Sequence, residues 1–491
     1  MLTVYGNPLR ESIDLGRRKL LQVGGAGLFG LNLPQLLAAE EAATPLKPRA
    51  KNVIFLLLFG GPSQLETFDL KPDAPSAIRG PYNPIACRTP DLRISERLPR
   101  LAASSDKFCV VRTIGHKQND HSSGIHYLQT GRPWHIPIGA GFNATSKDWP
   151  SLGSVIDYVD QRAMHGVDQR AIHNDATQLP RDVPSYVFLP KPLGHLQKFA
   201  AKLERPGQYG GWLGKGYDPL MSDVNKRDED DNPYARDCTD DELDFSVGGL
   251  ATDGAMTIDR LDRRRSLLDQ FDAARRSAES APSTVSYDRF RRRALELVSS
   301  SKTREALDVR RESAAVRDRY GRHLFGQSVL AARRLVEAGT RFVSVGWDTV
   351  GGYSWDSHIS INEQQNYLLP GLDCALSALL ADLDERGLLD ETLVVCCGEM
   401  GRTPKANSVW GRGHWSFNFP AVIAGGGVRG GTVYGRSSRD SGEAADHPTK
   451  PEDLAATILS SLGIDPEMRI HDMQGRPVGL VDDGHALPIF G

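Results

Sequence analysis

The sequence lacks an excess of charge of either sign. Lys and Arg together number 59 and Asp and Glu 62, so the 491-residue chain has a formal net charge of −3. Without a sequence-wide basic field, we do not expect the chain to bind nucleic acid. Its length allows one large α/β domain with insertions, or two or three smaller domains.

Cysteine is also scarce, and its positions form no spaced pattern typical of a disulfide framework or a metal site. The six cysteines are Cys87, Cys109, Cys238, Cys374, Cys396 and Cys397. The last two are neighbours in an apolar run, so on a strand they point to opposite faces and are interpreted as small core residues. An iron–sulfur or copper(I) site held by thiolates is therefore not expected.

A dinucleotide-binding loop is missing as well. Gly25, Gly27 and Gly30 match the spacing of that fingerprint. However, no strand precedes them, and no acidic residue follows about 20 positions later at the end of a second strand. We therefore expect no nucleotide cofactor at this position.

The same N-terminal segment has the features of an export signal. Arg17-Arg-Lys19 precedes an apolar, Gly-rich stretch from Leu20 to Leu37, and small alanines follow it. This order predicts a twin-arginine signal peptide over residues 1–43, recognised by the Tat export machinery, with a linker over 44–51. The mature protein would be periplasmic or extracellular, with no stable membrane span. The alternative is an uncleaved membrane anchor.

The rest of the chain alternates between apolar runs and helical patterns, which predicts an α/β fold with a mostly parallel sheet between helices. The predicted strands are Asn52–Phe59, Phe108–Val111, Tyr186–Leu189, Arg341–Val345, Leu393–Cys397 and Phe419–Ile423. Helical patterns cover 151–160, 320–338, 362–386 and a segment that starts at Pro451. Residues at about 196–318 are rich in charged side chains. This composition predicts an inserted set of solvated helices, and the less favoured alternative is a basic partner-binding face.

Polar side chains gather after the predicted strands, where open α/β sheets bind their ligands. They are Asp348, Asp356, His358, Glu399, Arg402 and His414. Oxygen and imidazole ligands without thiolates suit zinc, manganese, magnesium or calcium. The alternative is that Glu399 and Arg402 form an ion pair that only closes a turn. Three further histidines (116, 121 and 126) are spaced by five, so at most one or two of them reach a common site.

Several motifs from about residue 51 to the C-terminus resemble a family of bacterial exported proteins that carry domain of unknown function 1501. They are Gly60-Gly-Pro-Ser63, Thr67-Phe-Asp69, Thr130-Gly-Arg132, Trp355-Asp-Ser-His358, Gly398-Glu-Met-Gly-Arg-Thr-Pro404, Gly413-His-Trp415, Pro451-Glu-Asp-Leu-Ala-Ala-Thr457, Leu462-Gly-Ile-Asp465 and Gly475-Arg-Pro477. This family resembles a branch of the alkaline phosphatase and sulfatase superfamily. The resemblance implies a three-layer α/β/α sandwich over residues 52–491, with metal at the carboxyl edge of the sheet.

The resemblance also implies roles for particular residues. Asp356, His358 and His414 would hold one divalent ion, with Asp348 in reserve, and Glu399 would ligate or orient a second. Where the superfamily often has an Asp after the first strand, this chain offers only Asp69 or Glu66. Met400 stands where a ligating histidine is usual, and His121 stands at the nucleophile position with Ser122 beside it.

The function implied is hydrolysis of a sulfate or phosphate ester, with a small-molecule or carbohydrate substrate. Water activated by the metal, or Ser122, would attack, and Arg402 would stabilise the developing negative charge. The departures at His121 and Met400 leave a second hypothesis open. In that hypothesis the chain has lost turnover and acts as a binding or structural protein of the cell envelope.

Overall fold

A central eight-stranded sheet organises the computed structural model, which describes residues 46–136, 143–164, 183–191, 193, 203–222, 227–228, 231–245, 300–348 and 354–491. The strands are β1 Asn52–Leu58, β2 Pro84–Ala86, β3 Arg93–Ser95, β4 Phe108–Ile114, β5 Tyr186–Leu189, β6 Leu220–Met221, β7 Phe342–Trp347, β8 Thr392–Cys397, β9 Gly401–Arg402, β10 His414–Trp415, β11 Phe419–Ala424, β12 Thr432–Tyr434, β13 Arg436–Ser437, β14 Ala444–Asp446, β15 Arg469–His471 and β16 Pro477–Gly479. The order in the central sheet is β12-β4-β11-β8-β1-β7-β5-β6.

The helices lie between these strands along the chain. They are α1 Ser76–Arg79, α2 Pro99–Ala103, α3 His121–Thr130, α4 Leu152–Met164, α5 Ser301–Leu307, α6 Ala314–Tyr320, α7 Leu324–Glu337, α8 Leu369–Glu385 and α9 Pro451–Ser461. A π-helix at Gln364–Leu368 leads into α8.

The central sheet is mostly parallel, as the sequence predicts. Strand β1 pairs in parallel with β7 and β8, so Val53 lies between Phe342 and Leu393. Strand β11 is antiparallel to both of its neighbours, β8 and β4. Because the other strands share one direction, β1, β4, β7 and β8 deliver the residues that follow them to one edge of the sheet.

Helices cover both faces of the sheet, which confirms a three-layer α/β/α arrangement. Alternate residues of β1 enter two separate cores, because successive side chains of a strand point to opposite faces. Ile54 and Leu56 pack in the core that contains α7 and α8. Val53 and Phe55 pack in the core that contains α4 and α9. Cys396 and Cys397 divide in the same way, as predicted from their adjacency.

Several elements differ from the predictions. Helix α3 has no predicted counterpart, because small and polar residues such as Ser122, Ser123 and Gly124 are buried in it beside the few apolar ones. Helix α7 begins at Leu324 rather than 320, since His323 caps it: Gly326 N–H donates to His323 Nδ1 at 3.2 Å. The short edge strands β6 and β12 also lack a clear sequence signal.

The charged insertion is only partly described. Within it, helices α5 and α6 are present, but Arg205 and Arg317 are buried rather than on a solvated surface. The signal-peptide prediction for residues 1–43 lies outside the described residues. Among the described residues, no helix is long and apolar enough to cross a membrane.

Candidate metal site

Side chains from four separate segments converge at the carboxyl edge of the sheet. His121 is the first residue of α3, which follows β4, and Asp356 follows β7. Glu399 comes directly after β8. His414 lies in β10, which pairs with β9 so that His414 is opposite Arg402. The predicted gathering of polar groups at strand ends is therefore present in the fold.

Close backbone contact brings two of these segments together. Gly60, directly after β1, has φ of +107°, and a Cβ there would lie 2.4 Å from Asp356 N. Its N–H donates to both carboxylate oxygens of Glu399, at 3.0 and 3.2 Å. A residue larger than glycine would therefore push the Asp356 loop away from Glu399.

Glu399 orients His121. Its carboxylate is fully buried, and Oε1 lies 2.6 Å from His121 Nδ1. Because an ionised carboxylate only accepts hydrogen bonds, Nδ1 must carry the proton that is shared. His121 Nε2 therefore points the other way, toward Asp356 Oδ2 at 3.2 Å, and it is buried without a hydrogen-bond partner. This is the arrangement of a metal-binding histidine held by a carboxylate behind it.

His414 is arranged in a similar way. Its Nδ1 lies 3.3 Å from the Asn119 carbonyl oxygen, which can only accept, and its Nε2 lies 3.2 Å from Asp356 Oδ1. His121, Asp356 and His414 each offer a ligand atom within 4.8 Å of the others. His358 Nε2 is also close, 2.9 Å from Asp356 Oδ1, but its side chain is half-exposed.

These imidazoles create an electrostatic requirement. With Nδ1 as the donor, a neutral His121 or His414 would present a lone pair on Nε2 to the Asp356 carboxylate. Two acceptors at this distance repel unless a proton or a metal cation lies between them. The set of two imidazole nitrogens and one carboxylate fits a divalent ion such as zinc or manganese.

The pKa values of these residues reflect the same attraction between the carboxylates and positive charge. Burial alone would lower the pKa of His121, but the close approach of Asp356 and a hydrogen bond to Glu399, with the negative charge of both carboxylates, raise it to about 9. Burial would raise the pKa of Asp356, but His121 and His414, together with the Arg402 charge, hold it well below its usual range. Burial lowers the pKa of His358.

Arg402 is fully buried and supports Asp356 rather than Glu399. Its Nη2 lies 2.5 Å from Asp356 Oδ1 and also donates to the Gly60 carbonyl. Its Nε donates to Gly61 O at 3.0 Å. The alternative of a turn-closing Arg402–Glu399 pair is therefore not what these contacts show. The guanidinium joins the turn after β1 to the Asp356 loop.

Ser122 and Arg205 form a second contact beside the cluster. Ser122 is buried in the first turn of α3, where Asp120 caps the helix by accepting from Ser122 N at 3.0 Å. Arg205 Nη1 donates to Ser122 Oγ at 2.8 Å, and its guanidinium lies 5.3 Å from the centre of the Phe59 ring. Sequence reasoning missed Arg205, because it lies in the charged insertion and only the fold brings it to α3.

The remaining candidates interact with other residues. Asp69 is buried and accepts from Ser437, Ser441 and, at 2.9 Å, Lys71 Nζ. Asp348 is buried after β7, and its charge acts on Arg205. Glu66 forms a buried ion pair with Arg412 at 2.7 Å.

The other two spaced histidines are buried in the structure. His116 Nε2 lies 2.7 Å from Glu399 O, and His126 Nδ1 lies 3.0 Å from Arg132 O. Burial lowers the pKa of each ring to about 4. Of the three, His121 reaches the carboxylates of Asp356 and Glu399 with its side chain.

Fold and site together define a three-layer α/β protein with a candidate metal site at the carboxyl edge of its sheet. The model of a family described as "Protein of unknown function (DUF1501)" matches residues 50–489, and the chain belongs to this family. This confirms the resemblance stated above. No curated protein matches the chain in sequence.

Several solved structures resemble the chain at low sequence identity. A phosphonate monoester hydrolase from Silicibacter pomeroyi is 12% identical, with a TM-score of 0.34, covering 89% of this chain and 76% of its own. The PsFucS1 sulfatase from Pseudoalteromonas sp. is 13% identical, with a TM-score of 0.34, covering 91% and 72%. Alkaline phosphatase from the Antarctic bacterium TAB5 is 12% identical, with a TM-score of 0.33, covering 84% and 99%.

Proposed function

We propose that this chain is a metal-dependent hydrolase of phosphate or sulfate esters. The observation that carries the proposal is the approach of His121 Nε2 and His414 Nε2 to one carboxylate, Asp356, at 3.2 Å each. Such a cluster needs a proton or a metal cation, and a divalent cation there would lie at the carboxyl edge of the sheet. The ester class, with a small-molecule or carbohydrate substrate, follows from the sequence resemblance to alkaline phosphatases and sulfatases.

In this proposal His121, Asp356 and His414 hold the ion, and His358 is a fourth candidate. Glu399 keeps His121 in the tautomer that offers Nε2, which is the orienting alternative of its two expected roles. When bound, a divalent ion neutralises charge on the ester oxygens and makes a nearby water more acidic. Asp348 remains a reserve ligand, and Asp69 stays a candidate that accepts hydrogen bonds from Ser437 and Ser441.

Arg402 is proposed to position Asp356, because its guanidinium donates to three backbone carbonyls and to that carboxylate. Arg205 is proposed to act on the reacting groups, since its guanidinium contacts Ser122 Oγ. A cation beside a hydroxyl favours its deprotonation, and it can also attract the anionic oxygens of an ester. Ser122 Oγ and water are the two candidate nucleophiles.

The second candidate function, an envelope binding or structural protein without turnover, is favoured by one observation. Ser122, Glu399 and Arg402 are all buried to 0% exposure. A nucleophile closed off in this way could not reach an ester, and the charged cluster would then serve only to join segments of the fold.

A hydrolysis assay separates the two. Purified mature protein would be assayed on 4-nitrophenyl phosphate and 4-nitrophenyl sulfate, after chelation and after adding back zinc, manganese, magnesium or calcium. We expect activity that depends on one of these ions, and its loss in the Asp356→Asn variant. Ser122→Ala distinguishes the nucleophiles, since only attack by Ser122 would make this variant inactive. No hydrolysis with any ion would overturn the enzyme proposal.

Export is part of the proposal and rests on Arg17 and Arg18. The Tat machinery reads the paired arginines themselves, so Arg17→Lys combined with Arg18→Lys should leave the precursor in the cytoplasm. The measurement is fractionation of cells that express either form. Unchanged export of the doubly substituted chain would contradict a Tat route.

A further inference from the structure

The loop between β4 and α3 runs beside the segment that begins at His414, and it leads into a second histidine of the candidate metal site. The loop covers residues 115–120, between Ile114 at the end of β4 and His121 at the start of α3. The two stretches approach closely, because a Cβ on Gly115 would lie 2.2 Å from the Phe417 carbonyl oxygen. The loop therefore connects the two histidines that face Asp356.

Hydrogen bonds join this loop to the His414 segment. His116 N donates to Ser416 O at 2.8 Å, and Ser416 Oγ donates to His116 O at 2.9 Å. Asn119 uses both ends of its amide: Oδ1 accepts from Ser416 N at 3.0 Å, and Nδ2 donates to His414 O at 3.4 Å. The Asn119 side chain thus holds the backbone on both sides of Trp415.

The main chain of Asn119 acts on the His414 ring itself. Its carbonyl oxygen lies 3.3 Å from His414 Nδ1, and because a carbonyl only accepts, Nδ1 carries the proton. In the neutral ring Nε2 then keeps its lone pair, 3.2 Å from Asp356 Oδ1. Since the amide of Asn119 ties this loop to the backbone of His414, the direction of the ring depends on Asn119.

Asn119 contributes little to the core, because its side chain is exposed. The bonds of an exposed amide compete with bonds to water, so each adds little net stability. What these contacts determine is instead the geometry of the site: the His121 and His414 rings lie 4.3 Å apart, and each Nε2 is 3.2 Å from an oxygen of Asp356. Glu399 makes the corresponding contact with His121 Nδ1.

We propose that Asn119 is a positioning residue of the candidate metal site, which holds His414 with Nε2 directed toward Asp356. The inference rests on the metal site of the proposed function and does not depend on its hydrolytic activity. Outer partners of this kind fix the tautomer and the orientation of a ligating histidine, so their loss lowers metal affinity.

Asn119→Ala removes both amide contacts and tests this role. The affinity for zinc is measured by competition with a chelator, and the stability of the metal-free protein by chemical denaturation. We expect the zinc affinity to fall about tenfold, the lower end of the range for an outer partner of a ligating histidine. The denaturation midpoint of the metal-free protein should change no more than in the control variant.

Asn232→Ala is the matched control. Asn232 Oδ1 also accepts from a backbone N–H, that of Tyr234 at 3.1 Å, but in a segment that supplies none of the three candidate ligands. Its zinc affinity should equal that of the wild type. An unchanged zinc affinity in Asn119→Ala, an equal loss in Asn232→Ala, or a loss with a larger midpoint shift than in the control would overturn the positioning role.

The positioning role and the proposed function can fail separately. Zinc binding that weakens in Asn119→Ala, in a protein that hydrolyses no ester, would support the role of Asn119 and reject the enzyme. Zinc-dependent hydrolysis with an unchanged zinc affinity in Asn119→Ala would support the enzyme and reject the role of Asn119. A wild type that binds no zinc would overturn that role as well.

Discussion

Carboxylates that are buried or partly buried occur in two parts of this molecule, and they are neutralised in different ways. Between α6, α7 and α8, Glu312 and Asp382 are matched by guanidinium groups: Arg333 contacts both, at 2.6 and 2.9 Å, and Arg386 contacts Asp382 at 2.7 Å. At the carboxyl edge of the sheet, Asp356 is matched partly by Arg402 and partly by imidazoles.

The two regions differ in whether the cationic side chain beside the carboxylate can release its proton. A guanidinium keeps its proton at any pH that a protein experiences, so the network of Arg333 is a permanent set of ion pairs. An imidazole can give up its proton and offer a lone pair to a metal instead. The first cluster therefore joins helices, and the second can bind a cation.

The histidines of the two regions differ in the same way. His323, which caps α7, packs against Trp347 with ring centres 5.9 Å apart, and burial lowers its pKa to about 4. His121 lies between two carboxylates, which raise its pKa to about 9 despite burial. A neutral ring suits a helix cap, whereas a ring between two carboxylates needs a second proton or a metal cation.

The largest effect is expected from breaking the helix network. Arg333→Leu leaves the buried Asp382 and the partly buried Glu312 with too little positive charge, which should lower the free energy of unfolding by about 3–5 kcal/mol. Metal content should not change. Chemical denaturation measures the effect, and Arg319→Leu is the control, since its partner Glu385 is exposed and its loss should lower stability by at most about 1 kcal/mol. Equal effects of the two variants would contradict the structural role of the network.

Arg402→Lys tests whether Arg402 stabilises the fold, as Arg333 does between the helices. The ammonium keeps the charge beside Asp356 but cannot reproduce the fork that reaches Gly60 O and Gly61 O. We expect the free energy of unfolding to fall by about 1.5–3 kcal/mol. A loss of turnover of about a hundred- to thousandfold at unchanged stability would instead assign Arg402 the catalytic role that the sequence suggests.

Glu399→Gln tests the carboxylate behind His121. If Glu399 orients the ring, metal affinity should fall by about 10- to 100-fold, which competition with a chelator measures. Glu66→Gln is the matched control, because Glu66 is equally buried but pairs with Arg412, so it should lower stability and leave metal affinity unchanged. Complete loss of the ion in Glu399→Gln would make Glu399 a direct ligand.

The smallest expected effect is the pH dependence of His323. The pKa of His323 is about 4 in the folded protein, against 6.5 in the unfolded chain. The unfolded chain therefore takes up a proton first as the pH falls below 6.5. Stability is therefore lost between pH 6.5 and pH 4, by about 2 kcal/mol from pH 7 to pH 5. His323→Asn keeps an acceptor for Gly326 N and removes the titration, so its stability should fall less over this range. An unchanged pH slope would contradict a neutral, buried His323.

The sequence predicts much of the fold because its strands are continuous apolar runs, such as Asn52–Leu58, whose ends are marked by glycine and polar residues. It also predicts which polar residues share the sheet edge, since the carboxyl ends of parallel strands meet there. The sequence could not predict which of these polar side chains contact each other. Arg402 contacts Asp356 rather than Glu399 because of the turn at Gly60 and Gly61, whose geometry depends on contacts between distant segments.

Two further features needed the fold. His121 stands at the expected nucleophile position, yet its Nε2 lies within the candidate metal-binding group because Glu399 Oε1 holds its Nδ1. Arg205 resembles the other arginines of a charged segment, and only the approach of that segment to α3 brings it to Ser122. Helical periodicity carries no information about either contact.

The central claim is that His121, Asp356 and His414 form a metal site. Its most direct test is elemental analysis of the purified mature protein, prepared without chelator, beside the His414→Ala variant and the His471→Ala control, in which an exposed histidine of β15 is replaced. We predict one divalent ion per chain in the wild type and in His471→Ala, and its loss in a His414→Ala variant that remains folded. A metal-free wild type, or a His414→Ala variant that binds the ion as tightly as the wild type, would contradict the account.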